Sequence, residues 1–230
     1  MNTRRNIYAV VPVKDTGDAK RRLAGVLNGA RRQQLALAMC EDVLATLAGV
    51  RELAGIVVVT VDPAVATIAA RYGARVSNAG AREGHTGAVV AAARELAAET
   101  MLTLPGDIPL VEGDDIRQLI DVHRHATGRG ARAFTIVPAR DERGSNAILC
   151  SPAVAVPLRF GADSFLPHLA VARRCAIEPT VLRLPRIALD IDTPDDLALF
   201  LAAPSSTRTR ALLEQWRLRL HDAMSPTATG

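Results

Sequence analysis

Two aspartates, Asp190 and Asp192, stand two positions apart in "RIALDIDTPDDL" at the end of an apolar stretch. If that stretch is extended, both side chains point to one face, because successive residues of a strand alternate. Two carboxylates held together repel, and a cation is the usual remedy. Mg²⁺ suits such a pair, being a hard, oxygen-seeking ion that takes one or two carboxylates together with phosphates and water. A third acid, Asp107, lies far upstream in "TLPGDIPL", just after an apolar strand. The flanking prolines fix that loop, and Gly106 would let its backbone approach a ligand closely. Asp107 could be a loop-turn aspartate; together with Asp190 and Asp192 it would make a three-carboxylate magnesium site. Asp195 and Asp196 have a structural explanation instead. Thr193 and Pro194 read as N-cap and first helical position, and acids in a first helical turn favour the dipole by ~0.3–1 kcal/mol each.

The complementary charge sits after the first strand, in "VPVKDTGDAKRRL". Lys14, Lys20 and Arg22 could hold a triphosphate with cationic side chains. The segment is not a P-loop, since it lacks G-K-[ST], and it has no G-x-G-x-x-G. No serine, histidine or cysteine stands in a nucleophile setting. The five histidines are dispersed and offer no zinc spacing; His123 and His125 do not face one another on a helix.

These residues need a scaffold that brings distant loops together. Apolar, β-branched runs at 7–13 and 56–61 read as buried strands, and shorter strands are expected at 75–77, 101–104, 132–137, 147–150 and 180–184. Helices are expected at 31–47, where Leu35, Met39, Val43 and Leu47 recur every fourth residue, and at 84–98, 114–125, 165–174 and 194–201. Asp62 and Pro63 look like the start of another. Strands that alternate with helices imply βαβ units. The expected fold is α/β: a single domain with a mainly parallel sheet and helices on both faces. Ligands in such folds bind beyond the carboxyl ends of the strands, where Lys14, Asp107 and Asp190 fall. Residues 1–203 would form this domain. Residues 204–230 would supply a linker, a short helix at 211–220 carrying the sole tryptophan, Trp216, and a disordered tail.

Composition narrows the partners. The chain has 230 residues, half of them apolar, with a formal net charge of +4. The basic residues are scattered arginines without aromatic interleaving, so no nucleic-acid partner is expected. The apolar run near the N-terminus is too short for a leader or a membrane span and reads as the first strand. Cys40, Cys150 and Cys175 are odd in number and far apart, which fits a reducing, cytoplasmic setting. A homodimer is compatible with this reading.

Five motifs in order resemble one family: the guanylyltransferases that make the phosphodiester precursor of the deazaflavin coenzyme F-420. They are P-V-K with A-K-x-R-L (Pro12 to Lys14, then Ala19, Lys20, Arg22 and Leu23), L-P-x-D-x-P-L (Leu104 to Leu110), G-T-N-A-L (here Gly144, Ser145, Asn146, Ala147 and Ile148), F-G-x-x-S-F (Phe160 to Phe165) and L-D-x-D-T-P-x-D-L (Leu189 to Leu197). The resemblance implies a single Rossmann-like nucleotidyltransferase domain and Mg²⁺-dependent transfer of GMP from GTP to a small phosphorylated carboxylic acid: 2-phospholactate, phosphoenolpyruvate or 3-phosphoglycerate. It implies that Asp107, Asp190 and Asp192 hold metal, that Lys14, Lys20 and Arg22 face the GTP phosphates, and that Ser145, Gly161 and Ser164 bind the acceptor's phosphate and carboxylate. Two positions depart from the pattern. Ser145 replaces a threonine and keeps the hydroxyl. Gly84 is followed by His85 and Thr86 where the family has G-L-N, beside the expected pocket. The competing readings are another nucleotidyltransferase of this fold acting on a molybdenum cofactor or sugar phosphate, a glycosyltransferase using its D-x-D, and a nucleotide-binding regulator without activity.

Overall fold

The computed structural model describes residues 6–127 and 132–216. In chain order its elements are β1 (Ile7–Pro12), α1 (Gly29–Ala48), β2 (Gly55–Val59), α2 (Pro63–Arg71), β3 (Arg75–Ser77), α3 (Gly84–Glu95), β4 (Thr100–Thr103), α4 (Gly113–Thr127), β5 (Ala133–Pro138), β6 (Ser145–Ser151), α5 (Phe165–Arg174), β7 (Thr180–Val181), α6 (Pro185–Ala188), α7 (Pro194–Ala202) and α8 (Arg208–Gln215). The strands form one seven-stranded sheet in the order β3-β2-β1-β4-β6-β5-β7. β1 pairs in parallel with both β2 and β4, whereas β6 runs antiparallel to β4 and β5. The chain winds outward from β1 through β2 to β3, then returns to β4 on the other side of β1. Such a reversal opens a crevice at the carboxyl ends of the two central strands.

The sheet separates two cores. One face buries Val11, Val43, Leu44 and Leu102; the other buries Val10, Val89, Phe134 and Ile148. Alternate residues of β1 therefore serve opposite cores, as the twofold periodicity of a strand requires. A third cluster lies off the sheet. It joins Leu23 of the cationic loop, Leu110 from the loop after β4, Leu189 and Ile191 from the acidic stretch, Phe200 of α7 and Leu213 of α8. Full burial of side chains of this size is worth ~1.5–3 kcal/mol each. This cluster thus clamps three loops that carry charged residues.

Several local expectations hold. Asp62 caps α2, accepting from the amides of Ala64 and Val65, with Pro63 at the first position. Thr193 and Asp196 form a reciprocal capping box at the start of α7. Others need correction. The stretch before the acid pair is not a strand: Pro185 starts the short helix α6, and only Leu189 beyond it is extended. A proline's fixed φ and missing N–H suit a first helical turn better than a sheet. The strand expected at 180–184 shortens to Thr180–Val181. The last described helix begins earlier than 211. Asp42 of α1 accepts hydrogen bonds from the amides of Arg208 and Thr209 and from the Thr209 hydroxyl, so α8 docks directly on α1. Residues 217–230, including the expected tail, lie outside the described residues.

Candidate active site

A cavity of about 790 Å³ opens at the crevice between β1 and β4. The loop after β1 supplies Lys14 and Arg22, and the loop after β4 supplies Asp107. The start of β6 supplies Ser145; the segment before α5 supplies Gly161 and Ser164; the turn before α7 supplies Asp190 and Asp192. All the site residues expected from sequence therefore line one space, except Lys20, which lies beneath its wall.

Lys20 turns toward the acids. Its ammonium bonds Asp107 Oδ2 at 2.5 Å and Asp192 Oδ1 at 2.7 Å, and its side chain is 8 % exposed. It faces two of the acids rather than open space where a triphosphate could lie. Burial alone would lower the Lys20 pKa, but the charges of Asp107 and Asp192 outweigh it and raise the pKa above the usual lysine range. The residue adopts a left-handed backbone with φ of 53°, uncommon outside glycine. That geometry ends the first turn of the loop and turns the side chain inward.

The acids are joined by backbone as well. The amide of Ile191, between Asp190 and Asp192, donates to the carbonyl of Asp107 at 3.1 Å. Asn146 fixes the third acid: its side-chain amide donates to Asp190 Oδ1 at 3.0 Å and to the carbonyls of Ile187 and Ala188. Burial pushes the Asp190 carboxyl up, and neighbouring Asp107 adds to the shift. Burial would raise Asp192 too, but Lys20, Arg22 and Lys14 hold it below its ordinary value.

The donor chemistry fits a divalent cation. Three carboxylates border one cavity, and Asp107 Oδ1 is buried without a hydrogen-bond partner. The Lys20 ammonium shows that positive charge is stabilised between Asp107 and Asp192. Among the described residues, no three acidic, histidine or cysteine groups already stand in metal-binding geometry. Lys20 holds two of the three acids in an ion-paired arrangement instead.

Gly106 does not approach the cavity as expected. A Cβ there would meet a Val13 methyl at 3.2 Å and lie near Cys40, so the glycine serves close packing of the loop on the core. Gly161 does border the cavity, and a Cβ there would meet no protein atom within 4 Å. Its bare backbone leaves that space to a ligand. Thr86 Oγ1 accepts from the amide of Phe160, and the His85 ring packs against Phe160 at a tilt, with centroids 4.4 Å apart. His85 and Thr86, where the chain departs from the family's G-L-N, thus anchor the segment that carries Gly161. Burial lowers the His85 pKa to about 4, leaving a neutral ring on the cavity wall.

Four contributors escaped the sequence reading. Asn146 was visible within a motif but had no stated task. Arg140 and Arg143, from the turn before β6, border the cavity and pair with Asp196 and Asp163. His168 reaches Ser145 from one turn inside α5. The Ser164–His168 spacing of one helical turn was the available signal for the last.

Sheet order, crevice and acid cluster together define a nucleotidyltransferase fold. A putative nucleotide-diphospho-sugar transferase from Desulfovibrio desulfuricans superposes with a TM-score of 0.71 at 21 % identity, over 94 % of this chain and 97 % of that one. Residues 7–229 match the family model for CofC-like guanylyl transferases, and the chain belongs to that family. It is 36 % identical over 216 residues to a phosphoenolpyruvate guanylyltransferase of Conexibacter woesei, covering 90 % of this chain and 95 % of the relative. It is also 36 % identical over 209 residues to a 3-phospho-D-glycerate guanylyltransferase of Colwellia psychrerythraea, covering 88 % and 94 %.

Proposed function

We propose that this enzyme transfers GMP from GTP to the phosphate of a three-carbon phosphorylated acid, phosphoenolpyruvate or 3-phosphoglycerate, and releases pyrophosphate. The reaction would belong to coenzyme F-420 biosynthesis in the cytoplasm. The observation that carries the reading is what borders one cavity: Lys14 and Arg22, the three acids, and Ser145, Gly161 and Ser164. Lys14 and Arg22 act by charge on Asp192, whereas Asn146, next to Ser145, bonds Asp190. Cations thus neighbour one acid of the cluster and the serine-bearing strand neighbours another, as two anionic substrates would require.

The chemistry needs little from a general base. A phosphate monoester loses its second proton with a pKa of ~6, so the acceptor is already an anionic nucleophile near neutral pH. Its oxygen attacks the α-phosphorus of GTP; a P–O bond forms as the bond to pyrophosphate breaks, and no proton must move. What remains is to align two anions and to stabilise charge on the leaving group. Lys14 and Arg22 would meet the triphosphate. Ser145, Ser164 and the backbone at Gly161 would orient the acceptor. Asp107, Asp190 and Asp192 would hold Mg²⁺, which would supply electrostatic stabilisation of the α-phosphoryl group and leaving pyrophosphate.

The purified protein, mixed with GTP, MgCl₂ and each phosphoacid in turn, should release pyrophosphate with phosphoenolpyruvate or 3-phosphoglycerate. Release with CTP and a sugar phosphate instead would replace this reading with that of another nucleotidyltransferase.

A further inference from the structure

We propose that His168 is a positioning residue on the acceptor side, holding Ser145 so that its hydroxyl hydrogen is presented to the cavity. The proposal rests on the reading of this wall as the acceptor's. The direction of each hydrogen bond follows from elementary inventory. The backbone amide of Arg159 can only donate, and it meets His168 Nε2 at 3.1 Å. Nε2 therefore carries a lone pair. In a neutral ring the single proton then sits on Nδ1, which lies 3.0 Å from Ser145 Oγ. The Ser164 hydroxyl donates to the same oxygen at 3.2 Å. A serine oxygen has two lone pairs and one hydrogen. With both lone pairs engaged, the Ser145 hydrogen must be given to a third group. Ser145 borders the cavity, so that group is whatever anion occupies it: a carboxylate or phosphate oxygen of the acceptor.

The ring is built to keep this polarity. His168 is 1 % exposed, and the edges of Phe160 and Phe134 enclose it. Burial lowers its pKa to about 4. A protonated ring would set an Nε2–H against the Arg159 N–H, two donors facing each other. Ser164 and His168 stand one turn apart on one face of α5, and the His168 amide donates to the Ser164 carbonyl. One helical turn thereby fixes both donors that serve Ser145. Ser164 acts on the acceptor through Ser145 in this arrangement, rather than as a second independent donor.

The test uses the full chain and two substitutions. ¹⁵N-histidine NMR at neutral pH should show His168 as the Nδ1–H tautomer. His168→Leu should raise the acceptor KM roughly tenfold to a hundredfold, the cost of an undirected charged hydrogen bond, while the GTP KM stays within about twofold. His168→Asn restores an N–H near the Nδ1 position but not the acceptor for Arg159, and should recover most of the acceptor KM. An Nε2–H tautomer would overturn the proposal. So would equal damage from both variants with the two KM values rising together, which would reduce His168 to a brace for Arg159. Absence of pyrophosphate from the wild type with every phosphoacid would bring down the acceptor reading instead, while the NMR measurement would still decide the hydrogen-bond chain.

Discussion

Lys20 Nζ lies 2.7 Å from Asp192 Oδ1, although the two residues are 172 positions apart in the chain. The same ammonium reaches Asp107, so one lysine closes the loop after β1 onto the two acidic loops that border the cavity. Removing it would leave acids facing one another around a buried spot. Loss of one partner from a fully buried pair costs ~3–5 kcal/mol. Both carboxylates here are partly open to solvent, so Lys20→Met should cost less, ~1–3 kcal/mol. Added Mg²⁺ should raise the Tm of that variant more than that of the wild type, because the freed acids accept a cation. Equal Mg²⁺ shifts in thermal melts of the two proteins would contradict this.

The same pair sets a pH dependence. Asp192 is held below its ordinary value of 3.8, so its contribution is present above that pH and fades as pH falls through the lower folded value. The raised Lys20 pKa keeps the lysine contribution present through neutral and mildly alkaline pH, to be lost only as pH climbs past the folded value. The Tm gap between the wild type and Lys20→Met should therefore be nearly constant from about pH 6 to about pH 9 and should shrink in acid. Melts across that range decide it; a gap that widens toward acid would show that another group dominates.

Arg22 borders the cavity on the side assigned to GTP. A hydrogen bond to a charged group is worth ~1.5–3 kcal/mol, so Arg22→Ala should raise the GTP KM roughly tenfold to a hundredfold. Its side chain is exposed, so the Tm should barely move. Saturation curves in GTP check the first statement and a melt the second. An unchanged GTP curve would return Arg22 to the solvated surface.

Asn146 donates from one amide to Asp190 and to two backbone carbonyls. Asn146→Ala should cost ~1–3 kcal/mol of stability through the unsatisfied acceptors. It should also raise the Mg²⁺ concentration needed for half-maximal turnover, since Asp190 loses its anchor. A variant with wild-type Mg²⁺ dependence would confine Asn146 to a packing role.

Asp42 is 6 % exposed and takes three hydrogen bonds from the first residues of α8. Asp42→Ala should lower stability by ~1–3 kcal/mol and leave kcat and both KM values close to wild type. Lost turnover in a variant that remains folded would give α8 a part in the reaction.

What the sequence revealed and what it hid have physical causes. The central strands were legible in "IYAVVPV" and "IVVVTV" because a strand covered on both faces must be continuously apolar. The helix starts at Asp62 and Thr193 were legible because capping chemistry is local. The acid pair was legible as a chemical oddity without a cheap structural use. The antiparallel placement of β6 was not, since an apolar run carries no sign of its direction. Nor was the inward turn of Lys20, which depends on a left-handed backbone at one residue and on acids 87 and 172 positions away. The part played by His168 is hidden among five dispersed histidines because its partners, Ser145 and the Arg159 amide, are neighbours only in the fold.

The central claim, guanylyl transfer to a phosphoacid at the Asp107–Asp190–Asp192 cluster, is tested most directly by ³¹P NMR of a reaction containing GTP, MgCl₂ and phosphoenolpyruvate or 3-phosphoglycerate. The wild type should convert the acceptor's phosphate monoester resonance into one of two coupled resonances of a new P–O–P linkage, with free pyrophosphate appearing in equal amount. Asp190→Asn, folded by its melting curve, should show neither within the same time. Unchanged acceptor resonances with the wild type, or full conversion by Asp190→Asn, would contradict the account.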